Sequence, residues 1–147
     1  MLSLWSLLDI AHFVGLAWCI GAATAKVLLL LKCRSDLGFL PAYGKVAPVL
    51  TRQIVAGLIL TTLTGIIWLI RGYDFSPTLI VKICLVGAIW VLGPIIDNAI
   101  EPKFHKLAPA PGQQPTADFI RIRKLFLGVE IFATLLFYAI IVVWVLR

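Results

Sequence analysis

Four long apolar runs divide the chain, at about residues 4–31, 46–70, 77–97 and 119–146. Each is long enough for a helix to cross a bilayer, which takes roughly 20 mostly apolar residues at about 1.5 Å per residue. The connections are short or carry turn residues, such as APAPGQQP at 108–115. Short connections favour antiparallel neighbours. The pattern therefore predicts one domain over 1–147, an all-α membrane protein built as a four-transmembrane-helix up-down bundle.

The composition supports this prediction, and the motifs that are missing exclude several classes of enzyme. Hydrophobic residues make up 61% of the chain, charged residues only 14%, and the mean hydropathy is +1.03. A soluble domain has about a quarter charged residues, and a disordered chain has few apolar ones. The three cysteines form no CxxC pair and suggest no disulfide framework. Phosphate-binding loops, HExxH and dinucleotide fingerprints are missing, so neither a hydrolase nor a nucleotide-using enzyme is indicated.

The basic residues that give the net charge of +6 lie mainly at the ends of the apolar runs. Most basic residues flank the first and third connections, whereas the hairpin between the second and third spans has only Arg71 and the C-terminus only Arg147. The positive-inside rule then places both termini outside, in the periplasm, of a bacterial cytoplasmic (inner) membrane. This distribution predicts a lipid bilayer as the partner and no nucleic acid. The flanking residues are Lys32, Arg34, Lys45, Arg52, Lys103, Lys106, Arg121, Arg123 and Lys124.

Ionisable residues inside spans are costly and mark candidate functional sites. His12 and Lys82 each lie a few residues inward from the outer end of a span, so the rise per residue puts them at one level. Gly15 and Cys19 follow His12 on the same helix face. This smooth face could accept a flat apolar ligand such as a porphyrin, or a neighbouring helix.

A second polar set belongs to the cytoplasmic half. It consists of Lys26, Arg52, Asp97 and Glu130, of which Glu130 is the deepest carboxylate. A buried carboxylate is either protonated or paired, and Arg52 is the expected partner because it starts the second span in the same leaflet. The sequence thus predicts a structural polar cluster of Arg52 and Glu130, with a proton site as the alternative.

Small residues at every fourth position predict the faces on which helices pack in lipid. One row is Ala17-Gly21-Ala25 in the first span, and the other is Gly57-Thr61-Gly65 in the second.

Short motifs along the chain resemble a superfamily of small bacterial membrane proteins that includes HemJ-type protoporphyrinogen oxidases, CopD-like domains and uncharacterised relatives. The first span, DIAHFVGLAWCIGAATAKVLLL, is similar to their "L-H-x-x-G…W-x-G" opening, and Thr78 to Ile83 resembles their "W-h-x-x-K-h" motif without the Trp. The resemblance implies haem b as cofactor, His12 as the ligand of the haem iron, and Lys82 as a functional residue. The other histidine, His105, is expected across the membrane from His12.

The leading hypothesis is a haem b-binding oxidoreductase that acts on a porphyrinogen-like substrate. His12 would bind the haem iron, Gly15 and Cys19 would line the cofactor pocket, and Lys82 would be the catalytic residue near substrate carboxylates. The alternative is a non-enzymatic accessory or assembly subunit, present as a homo-oligomer or in a larger membrane complex. A third reading is a small proton-coupled transporter that depends on Glu130.

Overall fold

The computed structural model describes residues 3–72, 75–110 and 112–145. A 3-10 turn at Leu37–Phe39 precedes α2, and a π-helical turn at Ile96–Ile100 joins α3 to α4. Four helical stretches, each taken with its adjoining turn or short helix, are long and apolar enough to cross a membrane. The predicted all-α fold with four long apolar helices is therefore confirmed for the described residues. The α-helices in the described part of the chain are α1 (Leu4–Ser35), α2 (Leu40–Ile70), α3 (Pro77–Ile95), α4 (Glu101–Leu107) and α5 (Ala117–Val145).

Local signals set the helix ends. The hydroxyls of Ser3 and Ser76 accept hydrogen bonds from backbone N–H groups three residues further on, at 3.1 and 3.2 Å, and so cap α1 and α3. Gly72 follows α2 with φ +89°, a left-handed conformation that glycine adopts without strain. The next two hairpin residues, 73 and 74, lie outside the described residues.

Helices α1 and α2 are in close contact through two glycines. A Cβ atom added to Gly57 would lie 2.6 Å from the backbone oxygen of Gly15, and one added to Gly15 would lie 2.6 Å from Thr61 Oγ1. No other residue type fits at this crossing without moving the helices apart. The second-span row predicted from the sequence does pack here, since Gly57 and Thr61 are buried.

The predicted packing row on α1 is wrong. Gly21 is exposed, and a Cβ added to it would meet no atom within 4 Å. The face that meets α2 carries Gly15, Cys19 and Ala23 instead, all of them buried. Helix α1 has small residues on two faces, and the face that packs against α2 is the one whose shape fits Gly57.

The long helices alternate in direction along the chain, as an up-down bundle requires. Lys26 is near Thr51 of α2 and Glu130 of α5, whereas His12, earlier in α1, is near the later Thr64. Helix α1 packs on α2 and α5, and α5 also packs on α3. Helices α2 and α3 hardly touch, so the bundle is open between them.

The outer surface of the bundle is apolar on every spanning helix. Leu28, Leu63, Val91 and Leu135, one from each, are between 54% and 65% exposed. Large exposed apolar surfaces of this extent are unfavourable in water and are expected where lipid surrounds the protein. The structure thus fits a multi-pass membrane protein.

A buried aromatic cluster closes the end of the bundle where α4 lies. Phe104 of α4 packs against Tyr43 of α2 and against Phe119 and Phe126 of α5, with ring centroids 5.1–5.9 Å apart. The sequence reading placed Phe104 in a polar connection that began near residue 97. The helix instead continues to Leu107, because a connection that carries Phe104 buries more apolar surface when it is helical and packed.

Candidate functional site

A cavity of about 630 Å³ lies between the four long helices. It occupies the half of the bundle that contains the start of α1, and its volume is in the range of small-molecule and cofactor sites. Most of its wall is apolar, with Phe13 of α1 in edge-to-face contact with Trp144 of α5 at 5.7 Å. Both α2 and α3 line the cavity, and these two helices make few contacts with each other.

His12 is held in one orientation in the cavity wall. Its Nδ1 lies 2.8 Å from the hydroxyl oxygen of Thr64, which also lies 2.8 Å from the carbonyl oxygen of Leu60. The Thr64 hydroxyl has one hydrogen, and two backbone carbonyls of α2, those of Leu60 and Thr61, lie at 2.8 and 3.0 Å to accept it. When the hydroxyl donates to one of these carbonyls, its oxygen accepts from Nδ1–H of His12, and in this tautomer Nε2 carries the lone pair.

Lys82, from the second turn of α3, lines the same cavity as His12 and is near enough to act on it electrostatically. The structure therefore brings together His12 and Lys82, which the rise per residue predicts to lie at one level. Among the described residues, no carboxylate lies within salt-bridge distance of Lys82. Asp9, one helical turn before His12, also lines the cavity. The site thus combines an imidazole, an ammonium group and apolar walls.

Gly15 and Cys19, the other expected cofactor-binding residues, lie in different places. Gly15 is pressed against Gly57 of α2, so the face directly below His12 is filled by a neighbouring helix. Cys19 does line the cavity, but it is only 1% exposed and its thiol donates a hydrogen bond to the Ile54 carbonyl at 3.4 Å. A flat ligand in the cavity would therefore lie beside the part of α1 that precedes Gly15 in sequence.

Lys26 is the centre of a second polar site, in the other half of the bundle. Its ammonium nitrogen lies 2.8 Å from Glu130 Oε1, 2.9 Å from Glu101 Oε2 and 3.5 Å from Asp97 Oδ1. It also donates a hydrogen bond to Thr51 at 3.0 Å. We name Lys26, Asp97, Glu101 and Glu130 the Lys26 cluster.

The expected pairing of Glu130 with Arg52 is wrong. Glu130 pairs with Lys26, and Arg52 is exposed on α2. The position of Lys26 on the buried face of α1, fourteen residues after His12, was the sequence signal for this outcome. Arg52 lies at the matching depth but on the outer side of its helix, where it contributes to the charge that flanks the span.

The π-helical turn brings two of the carboxylates to Lys26. Pro94 has no N–H to donate within its helix, and the following turn widens so that the Glu101 N–H donates to the Ile96 carbonyl five residues back. This turn carries Asp97 at its start and ends at Glu101. Proline effects on helical register are hard to foresee, which explains why the sequence did not reveal Glu101 as part of the site.

Within residues 3–72, 75–110 and 112–145, no three His, Cys, Asp or Glu side chains are grouped so as to hold a metal ion. Comparison of the chain with protein families, with characterised proteins and with solved structures found no match. The resemblance to HemJ-type proteins accordingly remains an expectation based on short motifs.

Proposed function

We propose that the protein binds haem b in the cavity between the four helices, with His12 as the ligand of the iron, and oxidises a porphyrinogen-like substrate there. One observation carries this proposal, which is that His12 and Lys82 share one apolar cavity of about 630 Å³. Apolar walls with a few convergent polar groups are typical of cofactor sites.

The residues of the cavity fit such a group in three respects. The Nε2 lone pair of His12 is available in the tautomer in which Thr64 accepts the Nδ1 hydrogen. Hydrogen bonding of the second ring nitrogen is the usual support for a metal-binding histidine. The Lys82 ammonium can offset the carboxylate groups that a porphyrin carries, and the apolar walls accept its rings. When bound, haem would supply one-electron redox chemistry, which the side chains of this cavity do not provide.

Each protein residue then has a defined task. His12 holds the group, Thr64 fixes the ring of His12, and Lys82 orients an acidic substrate or cofactor edge. The opening between α2 and α3 allows an apolar ligand to enter from the bilayer without crossing water.

An absorption spectrum of the detergent-purified protein tests this proposal. Protein purified from cells supplied with haem is expected to show a Soret band and sharpened bands after reduction with dithionite. His12→Ala is expected to lose these bands, while His105→Ala, which changes the other histidine outside the cavity, retains them. A colourless wild-type protein, or a His12→Ala variant that still binds haem stoichiometrically, would overturn the proposal. The first of these outcomes would favour the accessory-subunit alternative.

We further propose that both termini lie on the periplasmic side of a bacterial inner membrane, on the basis of the basic residues that flank the 3-10 turn and α4. Single cysteines at Ser3 and Ser35 test this orientation in intact cells, in a background without the native cysteines. A membrane-impermeant maleimide is expected to label position 3 but to reach position 35 only after permeabilisation. The reverse labelling would overturn the orientation.

A further inference from the structure

The Lys26 cluster contains more negative than positive groups in a place that excludes water. Three carboxylates surround one ammonium group, and the side chains of Lys26, Glu130 and Glu101 are 2%, 5% and 12% exposed. The Asp97 side chain, at 29%, reaches solvent. If Lys26 offsets one buried carboxylate, the second remains uncompensated, and an unpaired buried charge is strongly unfavourable.

Tyr43 provides an independent sign that the hydrogen bonds of this cluster are incomplete. The residue is 0% exposed, and its hydroxyl oxygen makes no hydrogen bond of ordinary length and angle, although the Glu101 carboxylate is close enough to become its partner. The charged groups that act on it most strongly are Glu101 and Glu130. A buried hydroxyl without a partner costs about 1–3 kcal/mol, and native structures seldom leave one unexplained. Tyr43 is thus an unsatisfied polar group next to the carboxylates.

We propose that the Lys26 cluster is a proton-binding site, in which Glu130 carries one exchangeable proton at neutral pH. Glu130 holds the proton because it is the more deeply buried of the two glutamates beside Lys26. Glu101 accepts a hydrogen bond from Lys26 and also faces His105, so the ammonium group offsets this carboxylate. The cluster is then neutral apart from the partly hydrated Asp97.

The titratable groups around the cluster come from every neighbouring element. Helix α1 contributes Lys26 and Cys33, α2 contributes Tyr43, and α5 contributes Glu130, while the π turn and α4 contribute Asp97, Glu101 and His105. Of these, His105 provides contact with water, because its side chain is 40% exposed and its Nε2 lies 3.6 Å from Glu101 Oε1.

These contacts form a continuous route for a proton. A proton from water reaches Glu101 beside His105, whose exposed ring lies next to Oε1 of Glu101. Glu101 then gives a proton to Lys26 as Lys26 gives one to Glu130. The net change is one proton taken from water and one carboxylate neutralised, and Lys26 ends as it began.

A proton fits this site better than a metal cation. The Lys26 ammonium already occupies the space between the carboxylates, and it would repel a second cation placed there. Calcium ions also need six to eight oxygen ligands, whereas two of the carboxylate oxygens here are engaged by Lys26.

Infrared spectroscopy of the full chain in lipid tests the proposal. Wild-type protein at neutral pH is expected to show the carbonyl band of a protonated carboxylic acid, which shifts in D₂O and on 13C-glutamate labelling but not on 13C-aspartate labelling. Absence of such a band in the wild type overturns the proposal, and this measurement needs no variant to fold.

Variants then test whether the proton belongs to the Lys26 cluster. Glu130→Gln and Glu101→Gln are each expected to lose the band, because Lys26 then offsets the single glutamate that remains beside it. Asp36→Asn, which changes an exposed carboxylate, leaves the band as in the wild type. A band that survives Glu130→Gln overturns the assignment. A band that instead disappears on addition of Na⁺ or Ca²⁺ at constant pH would identify a cation site and would also overturn it. Because these spectra do not depend on haem, the result is separate from the test of the cavity.

Discussion

The contact between Gly15 and Gly57 makes substitution of Gly57 by alanine a stringent test of the fold. The added Cβ would lie 2.6 Å from the Gly15 oxygen and 2.8 Å from Cys19 Sγ. Ordinary contacts between such atoms start near 3.5 Å, so α1 and α2 must separate by about 1 Å. Overpacking of this kind costs about 1–3 kcal/mol. Alanine also gains up to about 1 kcal/mol over glycine in a helix interior.

Gly21→Ala serves as the matched control, because it gains the same helix preference in open space. The difference between the two variants therefore isolates the clash. We expect Gly57→Ala to be less stable than Gly21→Ala by about 1–3 kcal/mol, which is roughly a 5- to 150-fold change in the equilibrium constant. Titration with SDS in mixed micelles, followed by circular dichroism, measures both. Equal midpoints and slopes for the two variants would refute the close crossing of α1 and α2.

Three further predictions address the two polar sites and the contact between α2 and α3. Lys26→Met leaves buried carboxylates without their cation and is expected to destabilise the protein by about 3–5 kcal/mol in the same titration. The control Lys32→Met changes an exposed lysine that pairs with a carboxylate four residues later, and it should cost no more than about 0.5 kcal/mol. If haem binds as proposed, Thr64→Val removes the support of His12 and should weaken haem retention by about 10- to 100-fold in a transfer assay to apomyoglobin; unchanged retention would contradict the role of Thr64. Trp90→Phe removes the indole N–H that donates to Thr62 at 3.1 Å and should cost about 0.5–1.5 kcal/mol, and a larger loss would mean that α2 and α3 depend on each other more than their few contacts indicate.

The hydrophobic pattern of the sequence was sufficient for the number and approximate limits of the four long apolar helices, because such a helix requires a length of apolar residues and little else. It also placed His12 and Lys82 in one part of the bundle, since depth in a membrane follows from the rise per residue. Depth alone does not give the side of a helix. That is why Arg52 appeared equivalent to Lys26 as a partner of Glu130, although only Lys26 faces the interior.

Other features depended on contacts that are distant in sequence. Small residues lie on two faces of α1, and the choice between Gly15 and Gly21 is made by the shape of α2. The helical path of α4 depends on the aromatic pocket that Tyr43 and Phe126 form around Phe104. Neither is encoded in a local pattern.

The π-helical turn at Ile96–Ile100 holds one residue more than an α-helical turn would, so the chain tolerates a change of length here in one direction only. Deletion of one residue there would turn the segment into ordinary α-helix and leave everything beyond it nearly in place, whereas insertion of a further residue would rotate the chain beyond it by about 100°. After such an insertion Glu101 would leave Lys26, and Phe104 would leave its aromatic pocket. Homologous chains that keep this site are therefore expected to vary in length in the connection at 108–116 but to be at most one residue shorter, and not longer, between Pro94 and Glu101.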